Sequence, residues 1–313
     1  MIGWGIIGVG DVTEVKAAPS VFRVPDSDVV HVMRRDADRA ADFARRHGVE
    51  RWSTDAAAVL EDPAVTAVYV ATPTSTHSEY AIAAARAGKH VLVEKPMAMS
   101  THECRAMIDA AEDAGVHLWV AYYRRSLPRF EHVRDLLDDG VIGRVLAVDT
   151  TWRKPCTFEG WRWDPALNRG GEFQETACHT LDILDHLLGP ASNAVGVATG
   201  DARAVAGSWR HGEVLASGSW TLGTPLLHDE TVLVGSEGTI SFATFSPTPL
   251  RVETSEGRRD QEVHDPPHVH GPLVASILEE LRGIGTCPSH GTSGLRANEL
   301  AEALLAPSRS AHP

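Results

Sequence analysis

The sequence predicts an α/β chain of two domains. The first, residues 1–121, is a doubly wound parallel sheet, and the second, residues 122–313, is an α+β domain with a large, mainly antiparallel, open-faced sheet. Three observations support this division. A length of 313 residues suits two domains. Short apolar runs alternate with amphipathic stretches in the first part. Glycine-rich turns separate short strand-like runs in the later part.

Five apolar runs predict the strands of the parallel sheet. They lack polar alternation, which is expected of strands buried on both faces. Amphipathic stretches between them predict helices, and Ser100 with Glu103 has the spacing of a capping box at the start of one helix. We expect strands at 4–7, 29–33, 67–71, 90–93 and 116–121, and helices at 36–46, 75–87 and 101–114.

The remaining elements follow Tyr122. A helix at 173–188 should stop at Gly189-Pro190, because glycine suits the position after a helix and proline cannot continue one. A final segment, 295–305, is a candidate to return to the first domain. Further helices are expected at 128–139 and 273–282, and strands at 145–151, 194–199, 215–222, 231–233 and 239–243.

Composition excludes several classes of protein. The net charge of −13 argues against a nucleic-acid partner, since phosphate binding depends on clustered Lys and Arg. No apolar run approaches the ~18 residues of a membrane span, and no basic region opens a signal sequence, so we expect a cytoplasmic protein without a membrane partner. The four cysteines lack C-x-x-C spacing, which predicts neither a metal site nor a disulfide scaffold.

The run Gly8-Val9-Gly10-Asp11-Val12-Thr13 directly follows the first strand. A glycine turn in this position lets a dinucleotide pyrophosphate approach backbone amides at a helix N-terminus. Thr13 replaces the third glycine of the fingerprint and is expected to crowd helix-strand packing. The motif alone leaves a structural turn open, but its place in the first β-α-β unit favours a Rossmann dinucleotide-binding domain.

Arg34 and Arg35 stand at the end of the second predicted strand, where NAD-preferring domains place an acidic residue. A guanidinium pairs well with a 2′-phosphate, so these residues predict NADP in preference to NAD. The alternative is a solvated basic loop. Asp36 is interpreted as the N-cap of the next helix.

Glu94-Lys95-Pro96 ends the strand at 90–93. Ligands of open α/β sheets bind at the carboxyl ends of strands. Pro96 disfavours helical dihedrals at Lys95 and directs it into an extended conformation. An enclosed lysine can exchange protons with an alcohol-ketone pair, so Lys95 is a candidate general acid/base. The alternative is a surface lysine at a strand end.

Glu175, His179 and Asp182 have i, i+4, i+7 spacing on the helix at 173–188 and form a polar stripe. The stripe is either a solvated face or a wall of the active site. Before this helix, tryptophans interleave with basic residues, a composition that suits the C–H faces and hydroxyls of a polyol. A core role for some of the tryptophans is equally open. The candidate substrate-binding residues are Tyr123, Arg124, Trp152, Lys154, Trp163, His179 and Asp182.

These motifs, in this order, resemble the Gfo/Idh/MocA family of oxidoreductases over nearly the whole chain. The resemblance implies that Lys95 and His179 are catalytic, with Glu175 in place of the family's usual Asp. It also implies a homodimer or homotetramer joined through the open sheet face. Cofactor contacts are implied for Thr72, Pro73, His77, Glu94, Trp161 and Arg162.

Together the motifs predict an NADP(H)-dependent oxidoreductase that transfers a hydride to or from a secondary alcohol or ketone of a sugar, polyol or sugar-like metabolite. Lys95 would act as general acid/base with His179. Two alternatives remain at this stage. One is a catalytically weak NADP-binding sensor or regulator, and the other is a lyase or glycosidase that uses the nucleotide transiently.

Overall fold

The structure, a computed structural model, describes residues 1–10, 13–14, 21, 24–160 and 163–310, with side chains to residue 306. It separates into two compact units. One comprises Met1–Ser126 and Pro266–Leu295, and the other Leu127–Asp265 and Arg296–Pro313. The first unit thus includes residues 266–295. The boundary that we expected from the sequence, after residue 121, assigns these residues to the second domain. The returning segment therefore precedes the stretch 295–305 that we expected to return.

The first unit contains a six-stranded sheet in the order β3-β2-β1-β4-β5-β6, and every neighbouring pair is parallel. This confirms the doubly wound Rossmann sheet. The strand at Arg51–Ser53 was not predicted because its residues are largely exposed and form no apolar run. The strands are β1 Ile2–Ile7, β2 Ser27–Met33, β3 Arg51–Ser53, β4 Ala67–Val70, β5 His90–Val93 and β6 Leu118–Val120.

Helices of the first unit connect these strands: α1 Ala37–His47, α2 Ala56–Glu61, α3 His77–Arg86 and α4 Thr101–Ala114. The Asp36 carboxylate accepts a hydrogen bond from the Arg39 amide at 3.1 Å, which confirms its role as an N-cap. The Ser100 hydroxyl accepts from the Glu103 amide at the start of α4. Local capping signals therefore located these helix starts.

The second unit contains an eight-stranded sheet in the order β14-β13-β12-β11-β7-β10-β9-β8. Among the described strands of this second sheet, only the β7 and β10 pair is parallel. Along β7, Val148, Thr150 and Trp152 are buried, whereas Asp149 and Arg153 are exposed, so one face is covered and the other open. The strands are β7 Val145–Lys154, β8 Ala191–Ala198, β9 Ala204–His211, β10 Val214–Leu222, β11 His228–Gly235, β12 Gly238–Phe242, β13 Leu250–Thr254 and β14 Gly257–Gln261.

Four more helices complete the described chain: α5 Pro128–Asp138, α6 Gly171–Leu188, α7 Gly271–Leu281 and α8 Gly291–Ser310. In the second unit α6 contacts β9 and β10, and it ends at Gly189, whose φ of 85° only glycine adopts readily. Arg296 on α8 forms a bidentate ion pair with Asp185 on α6, at 2.7 and 2.8 Å. This pair fixes α6 within its unit.

Candidate active site

The glycine turn after β1 contains two glycines with different surroundings. Gly8 has a φ of +100°, and a Cβ there would lie 2.8 Å from the Ala71 carbonyl and from Thr72 Cγ2. The fold itself therefore requires glycine at position 8. At Gly10, no described atom lies within 4 Å of a Cβ. The space beside Gly10 fits the close approach of a phosphate group to the backbone.

Thr13 closes this turn through its side-chain hydroxyl. Its side chain is fully buried. The Gly10 amide donates to Thr13 Oγ1 at 2.7 Å, and the Thr13 hydroxyl donates to the Gly10 carbonyl at 2.6 Å. The Thr13 hydroxyl thus satisfies two backbone groups of the turn. Asp11 and Val12 lie outside the described residues.

Arg34 follows β2 and reaches the glycine turn. Its Nη1 donates to the Val9 carbonyl at 2.7 Å, whereas Arg35 is exposed. The contact places one guanidinium beside the segment that approaches a dinucleotide in this fold.

The Glu94-Lys95-Pro96 triplet follows β5, as predicted. The buried Tyr69 phenol donates to Glu94 Oε1, and the Lys95 amide donates to Glu94 Oε2 at 3.1 Å. Burial, and then the negative charge of Glu94, hold the pKa of Tyr69 well above its usual range. The phenol is therefore a stable donor, and the carboxylate fixes the Lys95 backbone. The Lys95-Pro96 peptide is cis, which the sequence did not indicate.

His77 links the triplet to the loop that follows β4. Its ring is 1% exposed, with Nδ1 3.0 Å from the Pro96 carbonyl and Nε2 2.9 Å from the Thr72 carbonyl. Pro73 lies in the linked loop, directly before the 3₁₀ turn Thr74–Thr76. Within the first unit, the loops after β1, β2, β4 and β5 are thus joined by direct contacts at the carboxyl edge of the sheet.

Tyr123 and Arg124 lie in a 3₁₀ turn after β6, also in the first unit. Both are 7% exposed. The Arg124 guanidinium lies 4.9 Å from the centre of the Tyr123 ring, and that ring is 4.4 Å from His270. They form a packed cluster of aromatic and basic groups.

The polar stripe on α6 is buried. Glu175, His179 and Asp182 are 5%, 6% and 0% exposed, so the alternative of a solvated face is wrong. The His179 ring lies 5.4 Å from Phe245, and the Phe245 ring lies 4.5 Å from Trp152. Trp152 Nε1 is buried and has no hydrogen-bond partner among the described residues. The second unit thus presents an imidazole, carboxylates and an indole donor.

The other residues predicted around α6 have varied surroundings. Lys154 pairs with the carboxylate of Glu172 at the start of the helix. The Trp163 ring centre lies 5.0 Å from that of Phe158, at an interplanar angle of 65°. Trp161 and Arg162 lie outside the described residues.

Three residues of these sites were not identified from the sequence: Tyr69, Asp229 and Phe245. Tyr69 lies within an apolar strand, and the sequence carries no signal that its phenol meets Glu94. The Asp229 carboxylate binds amides of residues 244–246. Partners this far apart in sequence leave no local pattern.

Within the described ranges, no group of three or more His, Cys, Asp or Glu side chains is arranged to hold a metal ion. The same residues include no helix of the length and apolarity needed to cross a membrane. All four cysteines are free of disulfides, and Cys104, Cys178 and Cys287 are buried.

The parallel sheet and its glycine turn, with open space at Gly10, are the features of a dinucleotide-binding domain, and Lys95 lies at the end of β5 in that sheet. Residues 2–122 match the GFO_IDH_MocA model, described as "Oxidoreductase family, NAD-binding Rossmann fold". Residues 130–241 match the model described as "GFO/IDH/MocA C-terminal domain". The chain belongs to the Gfo/Idh/MocA family and is an oxidoreductase with an NAD-binding Rossmann fold.

Individual relatives agree with this assignment. An oxidoreductase of Formosa agariphila is 35% identical over 292 residues, 88% of this chain and 90% of that protein. A 1,5-anhydro-D-fructose reductase of Ensifer adhaerens is 35% identical over 187 residues, 59% of this chain and 56% of the relative. A solved structure of levoglucosan dehydrogenase, in complex with NADH and levoglucosan, has a TM-score of 0.87 at 23% identity, covering 99% of this chain and 97% of that one. The last likeness shows the fold.

Proposed function

We propose that this protein catalyses reversible hydride transfer between NADP(H) and a secondary alcohol or ketone of a sugar, polyol or sugar-like metabolite. The proposal rests on the position of Lys95. This residue follows the carboxyl end of β5, and its backbone amide donates a hydrogen bond to Glu94. A bound nicotinamide supplies the hydride donor or acceptor. The relatives that act on 1,5-anhydro-D-fructose and levoglucosan support a sugar-like substrate.

Lys95 acts as the general acid/base in this proposal. Its ammonium protonates the carbonyl oxygen during reduction, and its amine accepts the hydroxyl proton during oxidation. Tyr69 and Glu94 hold the Lys95 backbone and do not exchange protons with substrate. His77 and Pro96 keep the triplet against the loop of Thr72 and Pro73, which lines the nucleotide.

His179 orients the substrate hydroxyl or shares its proton, and Glu175, four residues earlier on α6, sets the charge around the imidazole. The buried Trp152 Nε1 donates to a substrate hydroxyl. Asp182, Lys154, Trp163, Tyr123 and Arg124 are the further proposed substrate contacts.

The test is steady-state turnover of myo-inositol, levoglucosan and 1,5-anhydro-D-fructose with NADP(H). Lys95→Met and His179→Asn should each lower kcat by about 10²- to 10⁴-fold, the usual contribution of a positioned acid or base. His102→Asn, an exposed histidine on α4, is the control and should leave kcat unchanged. Full turnover in Lys95→Met would contradict the assignment.

NADP is proposed in preference to NAD because Arg34 lies at the glycine turn and Arg35 follows it. Among the described contacts of Arg34, Nη1 donates to the Val9 carbonyl. The other N–H groups of the guanidinium can therefore bind a 2′-phosphate. Fluorescence titrations should show tighter binding of NADPH than of NADH. Arg34→Asp should weaken NADPH by about ten-fold or more and leave NADH largely unchanged, since only one ligand carries the phosphate. Tighter NADH binding by the wild type would refute the preference.

We also propose that the open sheet face joins subunits of a homodimer or homotetramer. Val195 and Val197 on β8 and Leu215 on β10 are 65%, 65% and 58% exposed, and the strand register puts them on one face. Exposed apolar side chains gathered on one face mark candidate interaction surfaces. Val197→Glu should reduce the mass measured by light scattering to that of a monomer, whereas Leu226→Glu, in an exposed loop, should not. A wild-type monomer would contradict this proposal.

A further inference from the structure

Phe245, in the turn after β12, contacts two candidate-site residues of the second unit. Its ring centre lies 4.5 Å from that of Trp152 at an interplanar angle of 43°. It lies 5.4 Å from the His179 imidazole at 85°, an edge-to-face arrangement. Trp152 and His179 are each 6% exposed. The phenyl ring therefore contacts both an indole and an imidazole that are candidate substrate-binding groups.

A carboxylate holds the backbone of this turn. Asp229 accepts hydrogen bonds from the amides of Thr244, Phe245 and Ser246, at 2.9, 2.7 and 2.8 Å. Charge-assisted bonds of this kind are about twice as strong as neutral ones. Asp229 is paired with Trp152 in the register of β11 with β7. Asp229, whose carboxylate holds the turn, therefore lies directly beside Trp152 in the sheet.

Two further contacts hold the same turn. Arg129 on α5, which is 5% exposed, donates from Nη1 to the Ser246 carbonyl at 2.6 Å. Thr244 Oγ1 lies 3.1 Å from Thr180 Oγ1 on α6. Thr180 directly follows His179, so this bond fixes the position of the turn along the helix. Three elements of the second unit thus determine where the Phe245 ring lies.

This arrangement is more than core packing. Phe245 is half-buried, unlike the fully enclosed Phe242 on β12. Next to its ring, the buried Trp152 Nε1 lacks a partner among the described residues. An unsatisfied buried donor costs about 1–3 kcal/mol, and a substrate oxygen that accepts from Trp152 Nε1 would recover this cost. An aromatic face beside a hydroxyl-binding donor suits the C–H face of a sugar ring.

We propose that Phe245 is a positioning and specificity-determining residue: it confines the His179 imidazole and forms the apolar wall that receives the C–H face of a cyclic polyol or sugar. Asp229 acts through it by fixing the turn 244–246. The inference rests on the proposed function for its substrate, but the placement of the imidazole by Phe245 is testable without turnover.

The kinetic test compares Phe245→Leu, Phe245→Tyr and Ser246→Ala on the probe sugar that the wild type turns over best. Phe245→Leu should lower kcat/KM by about 10- to 100-fold, because small displacements of reacting groups cost rates of that size. Phe245→Tyr keeps the ring and should recover most of the loss. Ser246→Ala keeps the amide and carbonyl that hold the turn and is the matched control. NADPH affinity should stay unchanged in all three.

Asp229→Asn tests whether Asp229 acts by fixing the turn 244–246. It also provides a second test of the proposal if Phe245→Leu is poorly folded. An amide offers one acceptor oxygen where the carboxylate offers two, so the three amide bonds cannot all persist. The variant should lower kcat/KM about as Phe245→Leu does, and the double variant should be no worse than Phe245→Leu alone. Additive losses would show that Asp229 acts independently, which would overturn its assignment.

A spectroscopic readout separates this inference from the proposed function. The ring current of Phe245 should shift the NMR signals of the His179 imidazole, identified by their loss in His179→Asn. Those signals should move in Phe245→Leu, stay near their wild-type positions in Phe245→Tyr, and stay unchanged in Ser246→Ala. Equal signals in the Leu and wild-type proteins, or wild-type kinetics in Phe245→Leu, would overturn the inference. Absence of wild-type turnover would contradict the proposed function alone.

Discussion

Gly8 and Gly10 stand two residues apart in one turn, and their surroundings predict opposite consequences of adding a methyl group. At Gly8 the new Cβ would lie 2.8 Å from the Ala71 carbonyl and from Thr72 Cγ2, against an ordinary contact of 3.4–4 Å. The φ of +100° adds backbone strain for any L side chain. At Gly10 the same methyl group meets no described atom within 4 Å. Only the first substitution should damage the fold.

The magnitudes follow from these contacts. Gly8→Ala combines a left-handed backbone, about 1–2 kcal/mol, with an overpacked contact to main-chain atoms, about 1–3 kcal/mol, so it should lower the free energy of unfolding by about 2–5 kcal/mol. Gly10→Ala lies in open space and should change it by less than about 1 kcal/mol, with stabilisation expected from the stiffer unfolded chain. If the pyrophosphate approaches Gly10, overlap with the methyl group costs about 1–3 kcal/mol of binding, or about 5- to 150-fold in Kd.

Two assays give the answer. Urea unfolding measures the free energy of both variants, and fluorescence titration with NADPH measures the binding of each folded protein. The expected result is a destabilised Gly8→Ala and a Gly10→Ala protein of normal stability with weakened nucleotide binding. Wild-type affinity in a folded Gly10→Ala protein would refute the reasoning, because the open space at Gly10 would then not receive the pyrophosphate.

Three further predictions concern stability. Arg296→Ala removes a bidentate partner from Asp185. The Asp185 side chain is 3% exposed and that of Arg296 is 35% exposed, so the loss should cost about 1.5–3 kcal/mol in urea unfolding. Tyr69→Phe removes the phenol donor from the buried Glu94 carboxylate and should cost about 1.5–3 kcal/mol in the same assay, with a lower kcat. Burial lowers the pKa of His211, and the hydrogen bond to the Gly189 carbonyl raises it by less. The folded state therefore favours the neutral ring. Since the unfolded chain then binds more protons, Tm should fall as the pH drops from 7.5 through the unfolded pKa of about 6.5.

Each prediction has a control or a contradicting outcome. For Arg296 the control is an exposed ion pair, and for His211 it is a variant without the titratable imidazole. Arg45→Ala breaks an exposed pair with Asp42 and should cost no more than about 1 kcal/mol. A similar small cost in Arg296→Ala would contradict the argument from burial. For Tyr69, unchanged stability and kcat would show that the phenol does not support Glu94. For His211, the fall in Tm should be smaller in His211→Gln, and an equal fall in both proteins would assign the effect to other groups.

Local patterns were sufficient for the parallel sheet and for part of the site. The strand at 90–93 and the helix at 101–114 were predicted to the residue, because an unbroken apolar run and a capping pair mark their ends. The Lys95 triplet was recognised because it follows such a strand, and the carboxyl ends of parallel strands share one edge. The strands β3, β9, β13 and β14 were missed. The residues of β3 and β14 are largely exposed and form no apolar run, and β9 and β13 mix apolar with polar or small residues.

The sequence by itself determined the two kinds of sheet, the glycine turn and the position of Lys95, because each depends on the spacing of neighbouring residues. Tertiary structure alone decided that residues 266–295 belong to the first unit, that the polar stripe of α6 is buried, and that Asp229 holds the turn of Phe245. Each of these depends on contacts between segments far apart in the chain. Burial and hydrogen-bond partners across such separations are set by packing and leave no periodic trace in the sequence.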